Sequence, residues 1–392
     1  MLLAHDQIVQ ALPASPPGEP PRIEIRPMRE MPPEWTDGWD RLAGHPSEAN
    51  VFAERWFAEA SLNLEPPEDA RMMAVWAGDR LIGLLPLATA HRYGRTPVAH
   101  VENWLHHHAF LGTPLIAPGQ ERVFWTAVLE ALDQADWAPG FLHMVGLVEN
   151  GTVHRGLVAA AAALDRPCDV VHRSERAFLE SHLAAKDYYE QAVRKKKRKE
   201  IGRLTARLRE QGDLAFRTYW PSDDLETWID DFLALEAKGW KGKAGSALGC
   251  HPTTDAFFRA AVKGAEAAVR LQFLRLDLDG RAIAMLVTFM APPGAFTFKI
   301  AFDEDFARFS PGVLLQLEYL KVLERDDIAW SDSCAIEDHP MINSLWMERR
   351  SVVRVTVPLS GARRRAIHAA CRGLETGSAL LRRLISRKES DQ

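Results

Sequence analysis

Hydrophobic and polar positions alternate in the same way at two places in the chain. Residues 72–87 and residues 271–290 each contain two apolar runs joined by a short turn in which Asp stands beside Gly. This pattern is typical of β-hairpins. Stretches with helical periodicity surround each hairpin, so that both halves read strand, helices, hairpin, strand, helix, strand. The chain is therefore predicted to have a mixed α/β (α+β) fold with two similar halves, each a mostly antiparallel sheet flanked by helices.

Residues 295–318 combine a strand, a tight turn and a new helix. Aromatic and β-branched residues predict the strand, Ser310-Pro311-Gly312 predicts the turn, and apolar residues at helical spacing follow. A turn that leads into a helix N-terminus presents backbone N–H groups and the positive end of the helix dipole at one point. The sequence therefore predicts a phosphate-binding turn here, although an ordinary β-turn-α unit without a ligand has the same pattern.

The predicted divisions of the chain follow from its composition. The Pro- and Ala-rich residues 1–21 are expected to form a flexible arm. An N-terminal domain is predicted for 22–180, a C-terminal domain for 181–360 and a basic amphipathic tail for 361–392. Within the N-terminal domain, residues 110–116 are predicted to form a strand and residues 121–135 a helix.

Charge and cysteine content exclude several classes of protein. The four cysteines lie far apart without CxxC spacing, which argues against a zinc module or a disulfide framework and favours a reducing, cytoplasmic setting. The N-terminus lacks the features of a signal peptide, and no segment reaches the roughly 20 apolar residues that span a bilayer. The net charge of −5 gives no support for binding to nucleic acid.

One strongly basic segment departs from this average. The run from Arg194 to Lys199 reads RKKKRK, and Ile201, Leu204 and Leu208 continue it at helical spacing. These residues predict an amphipathic helix with a cationic face. A solvated helix face remains the simple interpretation; an anionic membrane surface or a substrate phosphate would also fit. The basic tail offers the same alternatives, either on a membrane surface or docked on the protein.

Three consecutive histidines at 106–108 invite comparison with a metal site. Successive side chains of a strand point to opposite faces, so all three cannot bind one ion. No carboxylate stands at ligand spacing beside them. We therefore predict no metal site, and we expect these residues to line a cleft between the domains.

Several motifs resemble a known family when they are taken in order. They are LEAKGWKG at 235–242, KIAFDE at 299–304, SPGVLL at 310–315, DSCA at 332–335 and HPMIN at 339–343, preceded by GLLPL at 83–87 and LGTPLI at 111–116. Over roughly residues 22–358 the chain resembles the CelD-like acyltransferases of the GNAT superfamily, which are linked to cellulose and exopolysaccharide synthesis. The resemblance implies two GNAT-like domains, an arrangement shared with the FemABX transferases. It also implies that the C-terminal domain binds acyl-CoA.

The resemblance assigns the CoA pyrophosphate to the turn that precedes the second-half helix. The residues there are Arg308, Ser310, Pro311, Gly312 and Val313. The common superfamily turn carries two small residues, whereas this one has a single glycine, and Pro311 lacks an N–H donor. We expect the side chains of Arg308 and Ser310 to compensate.

Acyl transfer to an amine requires a base for the ammonium proton and a donor for the thioester oxyanion. Asp332 and His339 are the first candidates for the base, followed by Asp303 and Glu337. Lys299 is a candidate for orienting a carboxylate or binding the acceptor. Substrate-binding residues are predicted to be Trp240, Lys241, Glu236 and His107. Cys334 has no His-acid partner in the sequence and is not expected to act as a nucleophile.

The resulting hypothesis is an acyl-CoA-dependent N-acyltransferase that works in the cytoplasm, at the inner face of the membrane. Its acceptor would be an amino sugar of an exopolysaccharide precursor or a sphingoid long-chain base. Two alternatives remain: a FemABX-like transferase that uses aminoacyl-tRNA, and a non-catalytic CoA-binding scaffold of a polysaccharide synthase.

Overall fold

The computed structural model describes residues 20–390, with side-chain positions up to residue 376. The predicted arm at 1–21 therefore lies almost entirely outside the described residues. The strands are β1 (Arg22–Pro27), β2 (Arg71–Ala77), β3 (Arg80–Ala90), β4 (His100–Asn103), β5 (Leu115–Ile116), β6 (Phe141–Val148), β7 (Asp169–Leu179), β8 (Leu214–Thr218), β9 (Leu271–Leu278), β10 (Arg281–Ala291), β11 (Gly294–Phe302), β12 (Trp330–Asp332) and β13 (Glu348–Pro358).

The helices lie on both faces of these strands. They are α1 (Thr36–Gly44), α2 (Arg55–Ser61), α3 (Glu121–Gln134), α4 (Thr152–Ala163), α5 (Ala185–Ala192), α6 (Lys195–Arg209), α7 (Leu225–Lys238), α8 (Trp240–Lys243), α9 (Pro252–Ala267), α10 (Pro311–Tyr319) and α11 (Ala362–Ser390). Both predicted hairpins are present, as β2–β3 and β9–β10. The strand expected at 110–116 is wrong for most of its length, because only Leu115–Ile116 pairs with β3.

A single sheet runs through both halves, in the order β1-β2-β3-β4-β6-β13-β7-β12-β11-β10-β9-β8. Each half has antiparallel strands followed by one parallel pair, β4 with β6 and β11 with β12. The predicted α/β class with a mostly antiparallel sheet and flanking helices is confirmed. The halves also exchange strands, because β13 lies between β6 and β7 at the centre.

Apolar burial forms three clusters, and one of them joins the halves. In that cluster Phe52 and Phe57 from the first half pack with Phe257, Phe289 and Phe298 from the second. Aromatic pairs there have ring centroids 4.6 to 6.5 Å apart, in the range of favourable edge and offset contacts. The face of the second half's sheet that lies opposite is covered by α5, α6 and α10. Residues contributed by both halves therefore surround the second parallel pair.

The basic tail forms the helix α11, as predicted. Within the part of α11 whose side chains are described, His368 and Cys371 are buried against the first half of the sheet. His368 Nε2 lies 3.0 Å from Thr356 Oγ1 on β13. The first turns of the tail are therefore docked on the protein. Among the described residues, no helix is both long enough and apolar enough to cross a membrane.

Candidate active site

The second parallel pair separates after only three residue pairs. β11 and β12 run together from Gly294, opposite Trp330, to Phe296, opposite Asp332. β12 ends there, whereas β11 continues for six more residues. At the point of separation Thr297 Oγ1 donates to the Ser333 carbonyl over 2.8 Å. Beyond it the edge of β11 faces a cleft instead of a neighbouring strand.

The cleft, counted together with the solvent at its open mouth, has a volume of about 640 Å³. The residues that line it include Lys241, Thr297, Lys299, Gln316, Cys334, His339 and Met341. The pairing of β10 with β11 is irregular between Val287 and Thr288, where β11 carries an extra residue, Phe298. Such a bulge changes the direction of the next side chain. The irregularity explains how Lys299 points to the side of the sheet that both halves cover.

Lys299 lies in the cleft with its ammonium group close to a histidine and two aromatic rings. Its Nζ donates to His108 Nδ1 over 3.2 Å and lies 5.2 and 5.4 Å from the ring centroids of Phe110 and Phe298. Burial and the nearby charge of Lys241 lower the pKa of Lys299 to about 8. This lysine can therefore lose and regain a proton close to neutral pH.

His108 belongs to the first half of the chain, 191 residues away in sequence. Its ring is stacked on Phe257, with centroids 5.3 Å apart. Burial and the charge of Lys299 lower the pKa of His108 to about 4, so the ring is neutral at pH 7 and accepts the Lys299 N–H. The predicted substrate-binding residue His107 has an exposed side chain, and it is the neighbouring His108 that contacts Lys299.

Asp332, the first candidate for the base, lies in a buried ion-pair cluster. Its carboxylate is 2.7 Å from Arg176 and 3.1 Å from Arg350, and it accepts the N–H of Cys334. Burial alone would raise its pKa, but the two guanidinium groups hold the pKa of Asp332 below its ordinary value. Arg176 also donates to the Phe110 carbonyl over 2.7 Å. This geometry suits positioning of the His108 segment and does not suit proton abstraction.

Asp303 is likewise engaged away from the cleft. Its carboxylate accepts from Lys238 at 2.8 and 2.9 Å, from Arg281 and from the Asp305 N–H. Burial would raise its pKa, but these donors keep the pKa of Asp303 below its usual range. The Asp303 carboxylate therefore caps the 3-10 turn Glu304–Phe309 and anchors it to α7. This engagement argues against a role for Asp303 as the base.

Two of the other predicted residues, His339 and Cys334, line the cleft. His339 lines it and is partly exposed, whereas Glu337 is exposed. Cys334 lines it too, but burial and the charge of Asp332 raise the pKa of its thiol well above the ordinary value. A protonated thiol is a poor nucleophile, which agrees with the sequence expectation for Cys334.

The predicted substrate-binding loop adjoins the same cleft. Lys241 lines the cleft and donates to the buried carboxylate of Glu236 over 2.7 Å, and Glu236 also accepts the Leu248 N–H over 2.8 Å. Trp240 is 60 % exposed. Part of the loop forms the short helix α8, which the sequence analysis did not predict. Lys241 is thus fixed at the mouth, with an aromatic ring beside it.

The predicted phosphate turn offers few backbone donors. Pro311 has no N–H, and the N–H groups of Val313 and Leu314 already donate to the Ser310 carbonyl over 2.9 and 3.3 Å. Ser310 has the left-handed φ of +55°, and its side chain does not cap α10. In this first turn the N–H of Gly312 therefore does not donate to the Ser310 carbonyl. The exposed Arg308 lies next to the turn. Side chains would have to supply most of the contacts to a phosphate.

The cationic helix α6 lies on the same side of the sheet as this turn. Ile201 and Leu208 pack it into the cluster that also holds Leu314 of α10. Within the run 194–199, Lys197 donates to Ser344, and Arg198 donates to backbone carbonyls. The other four cations are exposed: Arg194, Lys195, Lys196 and Lys199.

The corresponding opening in the first half is closed. The side chain of Asn103, at the end of β4, accepts from Val145 N–H over 2.7 Å and donates to Val145 carbonyl over 3.0 Å. Gly112 N–H donates to the Gly146 carbonyl over 2.9 Å, and a Cβ on Gly112 would lie 1.9 Å from the Val145 oxygen. The segment of residues 110–116, which contains Gly112, therefore occupies the gap between β4 and β6. At this position the first half therefore lacks the free strand edge that β11 presents in the second half.

Comparison with known proteins gives a consistent classification. Residues 195–339 match the family described as acetyltransferase (GNAT) domain. The structure resembles that of FemX, with a TM-score of 0.55, 9% sequence identity and coverage of 82% of this chain and 95% of FemX. It also resembles the C-terminal domain (DUF2156) of a putative lysylphosphatidylglycerol synthetase from Agrobacterium fabrum, with a TM-score of 0.52, 11% identity and coverage of 84% and 93%.

A third structure, a conserved protein of unknown function from Bacteroides thetaiotaomicron, has a TM-score of 0.51 and 13% identity, with coverage of 86% of this chain and 100% of that one. A comparison of the sequence with curated proteins gave no significant match. At these identities the structural similarities concern the fold, whereas the family match concerns residues that include Lys299 and the turn at 308–313. Residues 195–339 therefore match a GNAT acetyltransferase domain, and this match supports an acyltransferase.

Proposed function

We propose that this protein is an acyl-CoA-dependent N-acyltransferase whose reaction centre is the cleft between β11 and β12. The observation that carries the proposal is the opening beyond Phe296 and Asp332, in which Lys299 and His108 meet. Acyl-CoA supplies the acyl group as a thioester. The free edge of β11 offers backbone groups to that substrate, and the covered side of the sheet offers Lys299 to the amine.

Lys299 takes the role of the base in this proposal. Its neutral form accepts a proton from the acceptor ammonium, so that the amine nitrogen can attack the thioester carbonyl. The resulting Lys299 ammonium then faces the departing thiolate and can return the proton to it as the C–S bond breaks. The attacking nitrogen, which became positively charged on forming the C–N bond, releases its second proton to water, so that the products are amide, free thiol and one proton. His108 holds the lysine side chain through Nδ1 and does not itself need to change its protonation state.

The phosphates of CoA are assigned to side chains more than to backbone. Arg308, Ser310 and Gly312 form the turn, and the exposed cations of α6 lie on the same face of the sheet. Charge-assisted contacts from Arg and Lys replace the backbone cradle that Pro311 interrupts. The basic run is thereby assigned to acyl-CoA, and a membrane surface remains a second anionic partner to be tested.

The acceptor is an amine of the cell envelope, either an amino sugar of an exopolysaccharide precursor or a sphingoid long-chain base, in line with the resemblance to CelD-like proteins. Lys241, held by Glu236, lies at the mouth of the cleft. The exposed Trp240 (60 %) and Ile336 (74 %) stand next in sequence to lining residues. An apolar rim of this kind suits an acceptor that carries a lipid.

The direct test is release of free thiol from acetyl-, medium-chain and long-chain acyl-CoA, with amino sugars and long-chain bases as acceptors. We expect release that depends on both substrates and is lost in Lys299→Met. Absence of release with every donor would overturn the proposal. Flotation with anionic and neutral liposomes, comparing the wild type with a variant in which residues 194–199 are changed to Gln, tests membrane binding separately.

A transferase that uses aminoacyl-tRNA is the second candidate, favoured by the exposed cations of α6 and the fold shared with FemX. Charged tRNA would then be required for product formation, and acyl-CoA alone would give none. Incubation of one amine acceptor with each donor in turn separates the two. A CoA-binding scaffold without catalysis would bind acyl-CoA, yield no product with either donor, and lose nothing in Lys299→Met.

A further inference from the structure

A cluster of ionisable side chains lies in the first half of the sheet, apart from the cleft. His100 and Glu102 are two residues apart on β4, so both point to the same face. His143 on β6 is the register partner of Glu102 and points to that face as well. The three side chains have one ligand atom each within 4.8 Å of the other two. None of them takes part in the acyl transfer proposed above.

Three of the four imidazole nitrogens of this cluster have no hydrogen-bond partner in the described part of the chain. His143 is 7 % exposed and His100 is 1 % exposed. Among the described residues, neither nitrogen of His143 nor the Nε2 of His100 has a hydrogen-bond partner. Burial of unpaired polar atoms costs about 1–3 kcal/mol each, so native structures rarely leave three together. These nitrogens therefore point to a species that the protein atoms do not supply.

The surroundings of His100 orient it for a ligand role. His100 Nδ1 lies 3.2 Å from the Val98 carbonyl, and because a carbonyl only accepts, Nδ1 carries the proton. The lone pair of neutral His100 is then on Nε2, which faces the Glu102 carboxylate at 3.6 Å. A carbonyl that fixes the tautomer in this way is the usual outer partner of a metal-bound histidine. Phe141 stacks on His100 at 5.0 Å, and Tyr93 packs edge-on against both histidines.

We infer that His100, Glu102 and His143 form a binding site for a divalent transition metal, with zinc as the fitting ion. Tetrahedral zinc with ligands at about 2.0–2.1 Å places those ligand atoms about 3.3 Å apart. The observed separations from Glu102 are 3.6 Å to His100 and 4.0 Å to His143, so small side-chain movements would close the site. Two histidines and one carboxylate leave one position for water, on the side where Glu102 is 37 % exposed.

The site would stabilise the sheet where the halves exchange strands. A metal there ties β4 to β6, and β6 pairs with β13, whose Thr356 is opposite His143. The exposed Arg354 on β13 is a nearby cation, and no ion pair within 4.0 Å joins it to Glu102 in the described part of the chain. Because Arg354 is exposed, water screens its charge, whereas His100 and His143 are buried.

The test uses full-length protein without a histidine tag, stripped with a chelator and dialysed against zinc chloride. We expect about one zinc per chain by elemental analysis and a melting temperature raised by about 3–5 °C at a hundredfold excess over Kd. Loading with Co²⁺ should give the visible d–d absorption of a low-coordinate histidine site. Glu102→Gln keeps the shape of the side chain at a half-exposed position, and it should weaken zinc binding at least tenfold. His143→Gln should abolish zinc binding.

Control variants locate the ion. His107→Asn and His91→Asn change exposed histidines and should leave stoichiometry and melting temperature unchanged. Zinc below about one tenth per chain would overturn the inference and leave the direct His100–Glu102 contact as the explanation of the cluster. Zinc that is retained in Glu102→Gln and His143→Gln but lost in His107→Asn would also overturn it, because the ion would then sit on the histidine run.

Discussion

Replacement of Lys299 by methionine should make the protein more stable while it removes activity. The ammonium of Lys299 is enclosed by Phe110, Phe298 and His108, and the pKa of the lysine falls from 10.5 to about 8, mainly through burial. A lowered pKa means that the folded state disfavours the charged form. Lowering the pKa of a lysine from 10.5 to about 8 corresponds to about 3 kcal/mol at neutral pH.

The stability difference should depend on pH in a defined direction. Below pH 8 both the folded and the unfolded chain hold the proton, and the cost of the buried charge is fully present. Between pH 8 and 10.5 the folded chain releases it while the unfolded chain keeps it, so the stability of the wild type rises with pH. From pH 7 to 9.5 this one group should add about 2 kcal/mol to the wild-type free energy of unfolding.

Urea unfolding at pH 7.0 and 9.5 measures both effects. We expect Lys299→Met to be more stable than the wild type by about 1–3 kcal/mol at pH 7, with less than the full 3 because the cleft side of the ammonium is solvated. The gap should shrink at pH 9.5. Lys263→Met, at a side chain that is 51 % exposed, is the matched control and should keep the wild-type pH slope. A destabilised Lys299→Met, or one with the wild-type slope, would refute the reasoning.

Four further outcomes follow from the cleft. The rate of thiol release by the wild type should rise with pH through about 8, the pKa of Lys299, because the neutral lysine is the base; a flat profile from pH 6 to 9 would contradict this role. His108→Phe should lower kcat about tenfold or more and move the midpoint of the pH profile of thiol release. His108→Asn keeps a hydrogen-bond acceptor for Lys299 and should retain more activity. Equal rates for the two variants would contradict the positioning role of His108. Asp332→Asn should cost about 3–5 kcal/mol in urea unfolding, because two buried guanidinium groups lose their counter-charge, while the exposed Asp338→Asn should cost almost nothing. Cys334→Ala should keep most of the activity, since its thiol stays protonated; complete loss in a folded variant would indicate covalent catalysis.

The local elements were accessible from the sequence because they depend on nearby residues. Alternation with Asp-Gly turns predicted both hairpins, and the pattern at 295–318 predicted β11 and α10. The spacing of Ile201 and Leu208 predicted α6. The expected strand at 110–116 failed because this apolar segment fills the gap between β4 and β6 and pairs little with other strands.

The roles of the site residues were decided by contacts between distant parts of the chain. Asp332 looked like a base from its place after a strand, but it meets Arg176, 156 residues away in sequence. The sequence predicted His107 and not His108, since strand alternation alone does not say which neighbour contacts Lys299. His100 carries no local signal of a metal site, because His143 lies on a different strand.

The sequence by itself determined the fold class, the hairpins, the position of the strand-turn-helix unit and the cationic helix, because periodicity and turn chemistry act over a few residues. The tertiary structure alone decided that β7 and β13 are exchanged at the centre of one sheet and that the first half supplies His108 to a cleft in the second. Burial and neighbouring charge set the chemistry of Lys299 and Asp332, and both quantities arise only when the chain is packed.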